Sequence, residues 1–423
     1  MLQVSFINEN KEAVIRGLQK KRFKDAESIV SEVIRLDQKR RDTQKELDAV
    51  LAESNLKAKE IGQLMKEGKK EDAETLKNKT AELKNKSKEL SDFLVVAEHD
   101  LNQVLVKMPN LPHADVPEGK SAEDNIEVYK QEVKTDIPAD AQPHWELIKK
   151  YDIIDFELGN KISGAGFPVY KGKGARLQRA LINFFLDEAV KAGYMEVQPP
   201  ILINEASGFG TGQLPDKDGQ MYYASEDKLY LIPTAEVPIT NIYRDVILKK
   251  EDLPVKNAGY TPCFRREAGS WGADVRGLNR LHQFDKVEIV QISLPETSYK
   301  VLDEMVDHVK GLLGKLNLPF RILKLCAGDM SFTSALTYDF EVYSAAQKRW
   351  LEVSSVSNFE SYQANRLKLR YKADGKTHLL HTLNGSALAL PRIVAAILEN
   401  NQTARGITIP ETLVPYTGFD KIS

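Results

Sequence analysis

Arg265, Glu267 and Glu288 stand in two neighbouring stretches, Thr261-Pro-Cys-Phe-Arg-Arg-Glu-Ala-Gly269 and Arg280-Leu-His-Gln-Phe-Asp-Lys-Val-Glu288. Each reads as a short strand, and a glycine-bearing loop joins them. Glu288 alternates with Val287 and Ile289, so it shares a strand face with the β-branched Val290 and Ile292. On an edge strand it would meet solvent. On a buried strand it would be an acceptor for a ligand hydroxyl or ammonium, because an unpartnered buried charge costs several kcal/mol.

Other chemically suggestive residues are scattered. Thr234-Ala-Glu-Val-Pro reads as a helix start, with Thr234 as N-cap and Glu236 in the first turn, where it could also accept from an ammonium. Arg392 lies in Ala387-Leu-Ala-Leu-Pro-Arg-Ile-Val-Ala-Ala-Ile-Leu398 with apolar neighbours at every helical spacing. Either it snorkels to the surface or it meets an anion or aromatic plane. Glu352-Val-Ser-Ser-Val-Ser357 offers a carboxylate and hydroxyls, hard oxygen ligands suited to Mg²⁺. His378 and His381 read as strand or core histidines. No Gly-x-Gly-x-x-Gly and no Walker-type loop occurs, which argues against Rossmann and P-loop chemistry.

The elements that must position these residues follow from the wider pattern. The 423 residues, 42% of them apolar, suffice for more than one domain. A net charge of -2 supplies no global field for nucleic acid, so any such surface must be local. Cys263 and Cys326, far apart, build neither a disulfide framework nor a cysteine zinc site. Neither a leader pattern nor an apolar run of membrane-spanning length is present, which leads us to expect a cytoplasmic protein away from membranes.

Residues 1–110 form one expected domain. Leu76, Thr80, Leu83, Ser87, Leu90, Leu94, Ala97, Leu101 and Val104 alternate at steps of four and three, an a/d seam. Upstream, Leu47, Leu51, Ala58, Ile61 and Met65 follow the same spacing with Ser54 as a polar gap. A turn at Gly68 makes this an antiparallel two-helix coiled-coil arm. Between Lys57 and Lys88 ten lysines face six acidic residues, which suits either a solvated surface or a grip on a phosphate backbone. A linker is expected over 111–143, with the acidic stretch from Glu123 to Asp140 as a surface connection. The second domain, 144–423, shows successive strands flanked by helices. These include helices over 175–192, 234–247, 298–316 and 388–400 and a strand from Tyr194 to the proline pair at 199–200. An α+β fold with a largely antiparallel sheet follows.

With these segments together, the chain resembles a class II aminoacyl-tRNA synthetase, and most closely the bacterial seryl-tRNA synthetase family. Leu181 to Pro200 resembles motif 1, Phe264-Arg-Arg-Glu through Glu288 motif 2, and Leu383-Asn-Gly-Ser-Ala-Leu-Ala-Leu-Pro-Arg392 motif 3. The three motifs alone are degenerate, and Thr234-Ala-Glu, Thr211-Gly-Gln-Leu-Pro, Arg280-Leu-His-Gln-Phe and the N-terminal hairpin are much more specific for the seryl enzymes. The resemblance implies ligation of L-serine to tRNA(Ser) through seryl-adenylate, by a homodimer using ATP and Mg²⁺ but no zinc, with tRNA(Sec) a candidate second partner. It implies an ATP site of Arg265, Arg266, Glu267, Phe284, Glu352, Val353, Ser354, Ser355 and Arg392, in which Arg265, Glu352 and Arg392 are catalytic and Glu352 and Ser355 hold Mg²⁺. It implies a serine pocket of Thr234, Ala235, Glu236, Arg265, Glu288 and Ser386. The arm would hold the long variable arm of the tRNA, and Ala268 to Asn279 would meet its acceptor end. Threonine, excluded by one methyl worth about 1 to 3 kcal/mol, should be activated as a minor side reaction.

The chain departs from the family pattern at Arg266, Val356, Ala387 and Pro391, none of them an implied side-chain ligand other than Arg266, which adds positive charge. A silent relative would be expected to lack Arg265, Glu288 or Arg392, and a relative charging a carrier protein would not need a basic arm.

Overall fold

The computed structural model describes residues 1–131, 141–267 and 276–423. It divides into two compact units, residues 1–19 with 23–109 and residues 20–22 with 110–423.

In the first unit, short helices at Val4–Glu9 and Lys11–Lys20 precede α1 (Ala26–Lys66) and α2 (Lys70–Leu105). At about 1.5 Å per residue α1 is about 60 Å long. Gly68, at φ +78°, makes the turn, a left-handed conformation that glycine adopts without steric cost. Lys86 reaches Glu46 at 2.7 Å, as antiparallel helices require. Along α2 the expected seam holds: over 81–96 only Leu83, Ser87, Leu90 and Leu94 escape full exposure. Along α1 it differs. Leu51, Ala58 and Met65 are exposed, while Leu47, Val50, Ser54, Lys57, Ile61 and Leu64 are covered. These six keep strict three-four steps, so the helix faces its partner with Ser54 and the Lys57 stem inside the seam. Three apolar residues are left in water, a smaller cost than breaking the repeat.

The second unit is built on an eight-stranded sheet. Its strands are β1 (Ile126–Gln131), β2 (Met195–Glu196), β3 (Val255–Phe264), β4 (Gln283–Ser293), β5 (Phe320–Lys324), β6 (Leu336–Ser344), β7 (Arg349–Asn358) and β8 (His381–Ala389). The spatial order is β1-β5-β6-β7-β8-β4-β3-β2. All pairs are antiparallel except β2 with β3. Helices α3 (Gly172–Lys191), α4 (Glu236–Asn241), α5 (Ser298–Lys315), α6 (Ser361–Leu367) and α7 (Leu390–Asn400) accompany it. The core joins Leu177, Leu181, Phe184 and Phe185 of α3, Leu302, Met305 and Val309 of α5 and Ile393, Val394 and Ile397 of α7 to the sheet through Val287, Ile289 and Phe340. Each such side chain contributes about 1.5 to 3 kcal/mol by leaving water.

Three expectations are corrected. The stretch expected to be a surface connection contains β1, which completes the sheet edge by pairing with β5, so the linker expected over 111–143 is partly sheet of the second unit; residues 132–140 lie outside the described ones. The helix expected over 234–247 is only Glu236–Asn241, after which Ile247–Lys249 pairs as a strand in a small separate sheet. The strand expected from Tyr194 has two residues, because the chain leaves the sheet before its prolines.

Candidate active site

Glu288 sits on β4, sixth of the eight strands, and has 0% exposure. The edge-strand alternative is therefore excluded. On one side β4 pairs with β3 and on the other with β8, where Glu288 lies opposite Ser386. The register slips by one residue between Lys286 and Glu288, with Lys286 opposite Ala389. The extra residue on β8 is a bulge, a device that re-aims side chains beside functional sites.

The carboxylate of Glu288 is held from three directions. Lys286 Nζ lies 2.6 Å from Oε2. The Thr234 hydroxyl donates to the same oxygen at 3.3 Å, and Asn384 Nδ2 donates to Oε1 at 3.1 Å. Thr234 Oγ1 itself accepts from Lys286 at 2.8 Å and from the Glu236 N–H at 3.2 Å. Ala235 is thus the N-cap residue, one later than expected, and the Thr234 hydroxyl is drawn into the site. Glu236 is 6% exposed and accepts from Gln363 Nε2 of α6 at 2.6 Å. Burial, then the nearby Glu288 charge, pushes its carboxyl up to about 7. Burial also raises Glu288, against the pull of Lys286, Thr234 and Arg265. Two carboxyls, the Lys286 ammonium and the nearby Arg265 guanidinium therefore form one buried cluster, in which a ligand cation beside the raised Glu236 carboxyl would favour its charged form. Ala235, with 0% exposure, can offer such a ligand only its main chain.

The implied nucleotide residues lie at the adjoining strand ends. Arg265 Nε donates to the Pro233 carbonyl at 3.3 Å, and its guanidinium lies over the Phe284 ring at 5.3 Å. Arg266 is exposed, 6.0 Å from the Tyr222 ring centre. Glu267, at φ +49°, pairs with Arg280 at 2.8 Å. Of the loop from Ala268 to Asn279, residues 268–275 lie outside the described ones. Arg392 is in the first turn of α7, just after Pro391. It donates from Nη1 to the Glu352 carbonyl at 2.5 Å and lies 3.8 Å from that residue's carboxylate. Its Nε also donates to the Asn279 carbonyl at 3.0 Å, so the guanidinium, 28% exposed, bridges β7 and the loop at the edge of the core.

Glu352 and Ser355 lie on β7, where the register slips at Val353. Val353 is 2% exposed and belongs to the core, so only its main chain faces any ligand. Ser354 donates to the Ser386 carbonyl at 2.5 Å, tying the two ligand-bearing strands together. Asp339, opposite Ser355, has its carboxyl raised well above the ordinary range by burial and then by Glu352, with Ser355 pulling the other way. Its Oδ1 is buried without a hydrogen-bond partner. Such an orphaned oxygen beside Glu352 and Ser355 fits a hard divalent cation.

Sequence reasoning missed Lys286, Asn384, Gln363 and Asp339. Lys286 was legible in the i, i+2 spacing of Lys286-Val-Glu288, which puts both charges on one strand face. Gln363 and Asp339 carried no local signal. Asn384 lay inside a quoted motif, its side chain unassigned.

Residues 222–401 match the tRNA synthetase class II core domain (G, H, P, S and T), and residues 1–112 the seryl-tRNA synthetase N-terminal domain. The chain is 49% identical over 426 residues to a serine–tRNA ligase of Salinibacter ruber, covering 100% of this chain and 99% of the relative. The crystal structure of seryl-tRNA synthetase from Pyrococcus horikoshii complexed with ATP is similar with a TM-score of 0.91 at 32% identity, over 100% of this chain and 99% of that one. A cytoplasmic serine–tRNA ligase of Naegleria fowleri in complex with AMP is similar with a TM-score of 0.87 at 25% identity, over 100% and 99% of the two chains.

Proposed function

Since the chain belongs to the seryl-tRNA synthetase family, we infer that its reaction is the ATP-dependent attachment of L-serine to tRNA(Ser) by way of seryl-adenylate. The observation that carries this reading for the chain's own site is Glu288, a carboxylate of zero exposure in an interior strand that Lys286, Thr234 and Asn384 meet from three sides.

Glu236 and Glu288 bind the serine ammonium, and Thr234, Glu288 and Ser386 bind its hydroxyl. Arg265 draws the serine carboxylate towards the α-phosphate. A carboxylate oxygen attacks the α-phosphorus, a new P–O bond forms, and the bond to the bridging oxygen breaks to release pyrophosphate. The carboxylate is already a nucleophile, so the protein supplies position and charge neutralisation rather than a base. Arg265 and Arg392 neutralise phosphate charge, Phe284 stacks on the adenine, and Glu267 contacts its edge. Glu352 and Ser355, with Asp339 beside them, are the residues that would hold Mg²⁺, which when bound neutralises pyrophosphate charge. A terminal ribose hydroxyl of the tRNA then attacks the seryl carbonyl: the ester C–O bond forms, the bond from the carbonyl carbon to the phosphate oxygen breaks, and AMP leaves while the hydroxyl proton passes to its phosphate or to solvent. Alanine is rejected because it would leave the hydroxyl-binding groups unpaired.

The helical arm grips the long variable arm of the tRNA through its lysines, and tRNA(Sec) is a second candidate for the same grip. A homodimer is supported by the exposed apolar residues Val190 of α3, Met195 of β2, and Ile201 and Leu202 beyond it, and by a cavity of about 590 Å³ lined by Gln178, Ile182, Leu186 and Val197. No helix among the described residues is long and apolar enough to cross a membrane, in keeping with work in the cytoplasm.

The test is exchange of labelled pyrophosphate into ATP. Exchange that depends on L-serine and not on alanine is expected. Its absence with serine overturns the reading.

A further inference from the structure

One buried group takes no part in the chemistry described above. His144 and Glu399 both have 0% exposure. The Glu399 Oε1 accepts from the His144 N–H at 2.9 Å and meets His144 Nδ1 at 2.7 Å. On the other side of the ring, Nε2 lies 2.8 Å from the Leu278 backbone nitrogen. That N–H can only donate, so Nε2 must carry a lone pair and Nδ1 the proton. The ring is thus a fixed relay, accepting from Leu278 and donating to Glu399. Gly277 is moulded to it: at φ +65° a Cβ there would lie 2.3 Å from Nε2.

A second path starts from the same carboxylate. Gln347 Nε2 donates to Glu399 Oε1 at 3.1 Å, and Gln347 Oε1 accepts from Asn279 Nδ2 at 3.2 Å. The Ser344 hydroxyl donates to Oε2. Burial pushes the Glu399 carboxyl up, but the bonds from His144 and Ser344 outweigh it and leave it lowered, so it stays an anion. Both paths end on Leu278 and Asn279, and the Asn279 carbonyl accepts from Arg392 Nε at 3.0 Å.

We propose that His144 is a positioning residue for the first step of the reaction: with Glu399 it fixes Leu278 and Asn279, and through the Asn279 carbonyl it aims the Arg392 guanidinium at the nucleotide. The inference rests on the role of Arg392 given above. It predicts an effect on ATP that serine binding does not share, because Thr234, Glu236 and Glu288 are held by other bonds.

Two near-isosteric variants of the full chain test it. Asn at 144 places an amide at the Nδ1 position, so His144→Asn keeps the bond to Glu399 and loses the acceptor for Leu278. Gln reaches the Nε2 position, so His144→Gln keeps that acceptor and loses the donor to Glu399. Each loses one ring hydrogen bond, so a merely structural role would lower Tm and activity alike in both. The expected result in serine-dependent pyrophosphate exchange is an ATP KM raised about ten-fold in His144→Asn and less than about two-fold in His144→Gln, with serine KM unmoved in either. Indistinguishable kinetics in the two variants, or serine and ATP KM rising together, would overturn the proposal. If the unsubstituted chain itself lacks serine-dependent exchange, it is the functional reading that fails, a result visible before any variant is made.

Discussion

The arm and the active site use charge in opposite ways. On the arm, ion pairs such as Arg35–Glu32 and Lys77–Glu74 join residues three apart on one helix and stand in water. Water screens such pairs, so each adds little to stability. In the site, Glu288 bonds to Thr234 and Asn384, 54 and 96 residues away, and Glu236 to Gln363, 127 away. These groups are dry, so each depends on the others and on the sheet that gathers them. Exposed charge on the arm is therefore free to meet a large external surface, whereas the proposed role of the site's buried charge is to meet a small ligand of fixed shape.

The sharpest way to break this contrast is to unpair the buried charge. Lys286→Met should destabilise the fold by about 3 to 5 kcal/mol, because it leaves Glu288 without its cation. Urea denaturation measures this. Adding Glu288→Leu should return much of the loss while abolishing serine-dependent exchange. A Lys286→Met protein as stable as the parent would mean that Glu288 is not an ionised buried partner.

The arm should respond in the other coin. Reversing Lys77, Lys79 and Lys84 to Glu should lower tRNA charging about ten- to a hundred-fold and reduce its salt dependence, while pyrophosphate exchange stays within about two-fold. Loss of exchange in parallel would show that the arm lysines act on the fold rather than on a phosphate backbone.

The pH response isolates Glu236. Its folded value is raised from 4.5 to about 7, chiefly by burial and then by Glu288, with Gln363, Lys286 and Arg265 opposing. Between those values the folded chain holds a proton that the unfolded chain has lost. Stability from this group is complete below 4.5 and falls as pH rises through 7. Glu236→Gln, whose amide oxygen can still accept from Gln363, should flatten that slope and be the more stable form at pH 8. Denaturation midpoints across pH 4 to 8 decide it, and equal slopes in the two proteins would count against a protonated Glu236.

How far the sequence could be read follows the same division. The α2 seam was legible because a helix facing one partner needs only a repeating stripe, and Leu83, Ser87, Leu90 and Leu94 lie on it. The burial of Glu288 was legible as an alternation with two open readings, and the interior place of β4 chose between them. The edge strand β1 was missed because Ile126-Glu-Val-Tyr-Lys-Gln131 has a largely exposed face and flanking acidic residues, the usual dress of a sheet edge. The relay through His144 was out of reach altogether. Its partners come from Leu278 and Glu399, and only the fold sets their separation.

The α1 register makes the finest test of what a pattern encodes. Val50 is 6% exposed and Leu51 43%, though the larger residue looked the better seam candidate. If the strict three-four repeat governs, Val50→Ala should cost about 1 to 2 kcal/mol through lost packing, and Leu51→Ala less than about 0.5 kcal/mol. Thermal melts of the full chain, followed by far-ultraviolet circular dichroism, separate these. A larger cost at Leu51 would place the helix one position round from where it packs here, and with it the set of lysines presented to a tRNA.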